Sequence, residues 1–119
     1  MQRRMIYTDV IQLYKLTLEV LKVLEDEDYS KSHEMLQEIA KILILRKNTS
    51  NAEWRLKITE LILIGLSTPL KLLAQYDAEQ LEITPELLAI ILSDIDSFQT
   101  GLLTLLIPME VVKYKFYPN

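Results

Sequence analysis

A chain of 119 residues, half of them apolar and with only two glycines and four prolines, has the size of one domain and is too apolar to be a disordered polymer. The absence of cysteine excludes a disulfide framework and thiolate metal sites, and it agrees with a cytoplasmic setting. A net charge of −4 argues against nucleic acid as the main partner, and no uninterrupted apolar run approaches the roughly 18 residues of a membrane span, so no membrane association is expected.

Residues 1–6 read as a short arm; Arg3 and Arg4 are not followed by the apolar stretch of a signal peptide. The first helix is expected from about residue 8 or 9 to residue 24, with Thr8 as its cap and Asp9 in its first turn. Its apolar stripe is read as Tyr7, Ile11, Tyr14, Leu18 and Leu21, widened by Val10, Leu13, Val20 and Leu24. The acidic run Glu25-Asp26-Glu27-Asp28 suits the start of the following helix better than the end of this one. An acidic turn ending in Asp-Tyr between amphipathic helices is similar to turns in tetratricopeptide units and some flagellar export chaperones. No repeat of about 34 residues accompanies it, so neither family is assigned.

The second helix covers about residues 31–47 and should bury Met35, Leu36, Ile39, Ile42 and Leu43. Residues 48–51 are a polar loop, and Ser50 with Glu53 has the spacing of a capping box that opens the next helix. From Glu53 to Tyr76 apolar residues occupy nearly every side of a helix, which points to a central rod enclosed by its neighbours. Pro69 must disturb it, by a kink or by a stop near Leu66 and a restart with Thr68 as cap. A connecting segment begins at Asp77. Thr84-Pro85-Glu86 then combines cap, first-turn proline and first-turn acid, the strongest helix start in the chain. The last helix should bury Leu88, Ile91, Ile95, Phe98, Leu102 and Leu105 and end at Ile107-Pro108. Beyond it, Val112, Tyr114 and Phe116 alternate with Lys113 and Lys115 like a strand.

The expected fold is therefore all-α: one domain over residues 1–119, an antiparallel four- or five-helix bundle with an extended C-terminal arm over 108–119. No residue set for catalysis, cofactor or metal is expected. The single histidine, His33, has neither cysteine nor a clustered ligand set around it in sequence and reads as a solvent-facing helix residue. No phosphate loop or dinucleotide fingerprint is present. Charge is uneven: Lys41, Arg46, Lys47, Arg55 and Lys57 meet only Glu53 within residues 41–57, whereas residues 72–112 contain acids and no Lys or Arg.

A non-enzymatic interaction or assembly protein (adaptor, accessory subunit or chaperone) follows from the apolar surplus. It would form a homo-oligomer, a dimer first of all, and bind a further protein partner through Trp54 and the arm residues Val112, Tyr114 and Phe116. The alternative is a nucleic-acid-binding accessory protein using Lys41, Arg46, Lys47, Arg55 and Lys57 around Trp54. The Ser93, Asp94, Ser97, Thr100, Gly101 and Thr104 face of the last helix reads as a solvent side, or as small residues that admit a second helix.

Overall fold

The computed structural model describes residues 7–116, with side chains over 7–106. The described residues are nearly all helical and contain no strand. In order they form α1 (Tyr7–Glu25), α2 (Tyr29–Asn48), α3 (Ala52–Leu61), a π-helical turn (Ile62–Leu66), α4 (Ser67–Asp77) and α5 (Pro85–Phe116).

Local chemistry sets most of the ends. Glu27 closes α1 in the left-handed region, φ 59°, and the Asp28 N–H bonds back to the Val23 carbonyl at 3.2 Å. The Asp28 carboxylate then caps α2 by accepting from the Lys31 N–H at 3.1 Å, so the acidic run serves the second helix as expected. Glu79 ends α4 in the same left-handed conformation, and the segment after it carries no helical turn before Pro85. Thr84 caps α5 through the Leu87 N–H at 3.2 Å. The chain is already helical at Tyr7, which places Thr8 inside the first turn of α1 rather than at its cap.

Ser50 is not the cap of α3. Its hydroxyl donates back to the Arg46 carbonyl, and Asn51 caps instead, accepting from the Trp54 N–H at 3.0 Å. Asn51→Ala is therefore expected to cost about 1 kcal/mol in urea unfolding, a result to be read beside Ser50→Ala. A neutral Asn51→Ala would contradict the cap.

Pro69 neither stops nor restarts the helix. It has no N–H to offer the Gly65 carbonyl. The backbone widens just before it, and the Ser67 N–H reaches back to the Ile62 carbonyl, which also accepts the Ser67 hydroxyl at 3.2 Å. Thr68 caps nothing; α3, the π-turn and α4 run on as one rod of successive helical segments.

That rod is not enclosed. It packs on α2 and α5, while α1 packs on α2 and α5 and does not approach the rod among the described residues. Leu56, Leu63 and Ile64 consequently stand 62%, 64% and 59% exposed, which overturns the reading of a rod apolar all round because buried all round. The core draws on all the elements: Val10, Leu13, Val20 and Leu24 of α1; Leu36, Ile39 and Leu43 of α2; Ile58, Leu61, Leu66 and Leu73 of the rod; Ile91, Ile95, Phe98, Leu102 and Leu105 of α5. In α1 the residues read as widening the stripe are its centre, and Tyr7 and Leu18 lie toward solvent. Thr17, fully buried, completes that stripe: its hydroxyl donates to the Tyr14 carbonyl at 2.6 Å and accepts from Gln99 of α5 at 3.0 Å.

The extended arm requires correction. α5 continues through Pro108 to Phe116, so the backbone of Val112, Tyr114 and Phe116 is helical rather than strand-like. An interior proline removes one hydrogen bond, here toward the Thr104 carbonyl, and no glycine, asparagine or aspartate follows Pro108 to end the helix before Pro118. The rest of the proposed arm, and residues 1–6, lie outside the described residues.

Candidate interaction surface

The basic stretch folds into ion pairs. Arg46, near the end of α2, turns its guanidinium to Asp9 at the start of α1, 2.9 Å away. The Asp9 side chain is only 8% exposed, so this pair ties the two helix ends where solvent screening is weak. Lys41 lies 3.4 Å from Glu38, and Lys57 lies 3.5 Å from Glu53 and 5.0 Å above the Trp54 ring. Three of the five candidate cations are thus matched to carboxylates; Lys47 is half-buried and Arg55 exposed. Trp54 is itself half-buried against the core. Side chains of Val112, Tyr114 and Phe116 fall outside those described.

At the opposite ends of α2 and α4 a polar strut forms from residues far apart in sequence. Asp77 accepts from the Ser30 hydroxyl at 2.6 Å through one oxygen and from His33 Nδ1 through the other. Beside it Tyr29 and Tyr76 meet edge to face, ring centroids 5.3 Å apart. His33, expected in solvent, has a side chain only 13% exposed. The two hydrogen bonds, from Ser30 and then from His33, hold the Asp77 carboxyl below its ordinary value. Burial, with the Glu27 charge and Tyr76 adding to it, pushes the Tyr29 phenol up. The Ser30 hydroxyl is directed at Asp77 and not at His33, so the three side chains do not make the serine–imidazole contact of a hydrolase triad. It is a strut.

A pH dependence follows. A carboxyl whose folded pKa is depressed binds its proton less readily folded than unfolded, so its contribution is complete above the unfolded value. It is lost as pH falls through the lower folded value. Unfolding free energies measured from neutral pH down through the carboxylate range should decline less for Asp77→Asn than for the parent chain. Equal slopes would contradict the strut.

The third feature is a groove of about 350 Å³ between the rod and α5, lined by Lys57, Glu60, Leu61 and Ile64 on one side and by Phe98 and Gly101 among others on the other. Two close approaches bring the rod against α5 here, through Phe98 and Gly101 of the groove lining. A Cβ at Gly65 would stand 2.3 Å from the Phe98 Cβ, and one at Gly101 would stand 2.5 Å from Leu61 Cδ2. The small-residue face of α5 therefore does admit another helix at Gly101, but that helix is α3 of the same chain. The neighbouring small residues Ser97 and Thr104 leave the groove open above it. Of these residues the sequence reading named Ser97, Gly101 and Thr104 as a small-residue face, Lys57 as a candidate nucleic-acid contact, and Phe98 and Leu105 as buried. For Glu60 the only sequence signal was its place within the apolar rod.

Among the described residues no group of three or more His, Cys, Asp or Glu is placed to hold a metal ion. One segment, Pro85–Leu106, is long and apolar enough to cross a membrane by length and composition; in this fold it contributes Ile91, Ile95, Phe98, Leu102 and Leu105 to the core. Comparison with protein-family models, with curated proteins and with solved structures finds no match to this chain.

Proposed function

We propose that the chain is a non-enzymatic assembly protein, an antiparallel four-helix bundle that self-associates and offers apolar helix surface to a protein partner in the cytoplasm. The bundle reading is supported by contacts at both ends: Asp9 with Arg46 at one, Ser30 and His33 with Asp77 at the other. Together with the pairing of α5 with α1 and with the rod, they fit helices that alternate in direction around one core.

The observation that carries the functional reading is the trio Leu56, Leu63 and Ile64, each about three-fifths exposed on a single rod beside a groove with a largely apolar floor. Single exposed leucines are ordinary on a protein surface, but three on one short rod beside a groove mark a surface made to be covered. The nucleic-acid alternative is the less favoured, because Arg46, one of its five cations, is engaged by the buried Asp9. Sedimentation equilibrium of the full chain over a wide concentration range tests the reading. A mass rising above the 13.9 kDa of one chain is expected; a single-chain mass throughout would contradict self-association.

A further inference from the structure

We propose that the groove between α3 and α5 is filled by a second copy of this chain, the two α3 rods packing antiparallel across a two-fold axis. The proposal rests on the assembly reading above and names its interface. On α3 and the π-turn, Leu56, Glu60 and Ile64 recur every four residues and all are exposed, so they stand as one ridge. Glu60 and Ile64 of that ridge also form one wall of the groove, whose base holds Leu61, Phe98 and Leu105. A ridge and a groove side by side on one surface are what an isologous contact requires, because each copy then inserts its ridge and receives the other.

Charge selects the occupant and its direction. Lys57 and Glu60 lie three residues apart on the groove wall, one of each sign. Lys57 is shared with Glu53 and Trp54 of its own helix, while Glu60 takes part in no ion pair among the described residues. When two copies of α3 run antiparallel about an axis between these positions, Lys57 of each copy faces Glu60 of the other, and two opposite-charge pairs form across the axis. A parallel second copy would set like charges side by side. A uniformly basic or acidic peptide would satisfy one of the two residues and repel the other. In that register Leu56 of the incoming copy comes level with Leu61, and Ser97, Gly101 and Thr104 on the opposite wall are small enough to leave room for it.

The test is a charge swap, read by sedimentation equilibrium on the full chain, with far-ultraviolet circular dichroism to confirm the fold of each variant. Lys57→Glu and Glu60→Lys should each weaken dimerisation about tenfold, the effect of roughly 1.4 kcal/mol lost between close charge pairs. The double variant restores the complementarity in mirror image and should recover most of the affinity. Ile64→Asp, at an exposed position, should abolish the dimer while leaving helix content unchanged. A dimer indifferent to all these changes, or a double variant as weak as the two single losses combined, would overturn this interface and leave the assembly reading standing. A parent chain that remains monomeric would overturn both.

Discussion

Gly65→Ala will destabilise the protein by about 2–3 kcal/mol, against the usual sign of that substitution. Within a helix, replacing glycine by alanine ordinarily gains up to about 1 kcal/mol, because alanine loses less backbone freedom on folding. At Gly65 the added methyl would lie 2.3 Å from the Phe98 Cβ and 2.9 Å from its Cα. The obstacle is backbone and the first side-chain carbon, neither of which moves aside without shifting α5. Overpacking of that kind typically costs about 1–3 kcal/mol, and here it adds to a π-turn already adapted to Pro69. Gly101→Ala is the control. Its Cβ would meet only the Leu61 Cδ2, the far end of a flexible side chain, so the loss should be much smaller. Urea unfolding of both variants checks the pair; a Gly65→Ala protein as stable as its parent would remove the close crossing from the fold.

Phe98→Ala should cost about 3–5 kcal/mol, the range for emptying a fully buried aromatic site. Phe98 is 1% exposed and sits where α5 meets the π-turn. The cavity would open at the contact that joins the rod to α5, and backbone held by the rod on one side and α1 on the other has little room to collapse into it. Alanine retains the Cβ but removes the ring carbon Cδ1, which also lies 2.9 Å from a Cβ at Gly65, and the emptied site gives the added methyl room. The loss in the double variant should then fall short of the sum of the single losses, as for residues in direct contact. A loss near 1 kcal/mol for Phe98→Ala would show that the site relaxes and that the core is looser than its burial implies.

The parts of the fold legible in sequence were those written in short-range spacing. Thr84-Pro85-Glu86 fixed the start of α5, and the recurrence of Ile91, Ile95, Phe98, Leu102 and Leu105 gave its buried face. Leu36, Ile39 and Leu43 did the same for α2. In α1 the true stripe passes through Thr17, a polar residue whose hydroxyl is satisfied by α1 and α5, and that interruption favoured the stripe through Leu18. Ser50 and Asn51 are adjacent residues with equal capping chemistry, and only the backbone conformation decides between them. Pro69 and Pro108 both read as disturbances; the helix absorbs the first by widening and continues through the second.

The surface was less legible for a different reason. The surplus of apolar residues at Leu63 and Ile64 was plain, but which sides of the rod are covered depends on where α1 lies, and sequence spacing carries no such information. Nor could the spacing announce that Asp77 closes on Ser30 and His33, 47 and 44 residues earlier, or that Arg46 is spent on Asp9. The uneven charge blocks were visible, but neither tie joins one block to the other: Arg46 of the basic stretch pairs with Asp9, and Asp77 of the acidic stretch with Ser30 and His33.

The central claim, that the apolar ridge of the rod is covered by a second copy, is tested most directly by isotope-filtered nuclear Overhauser spectroscopy on an equal mixture of labelled and unlabelled chains. Intermolecular contacts are expected from the methyl groups of Leu56 and Ile64 on the ridge and of Leu61 and Leu105 at the groove base, and from none of the core methyls remote from the groove, such as Leu36 and Ile39. A mixture with no intermolecular contact at the ridge, at concentrations where the mass exceeds that of one chain, would contradict it.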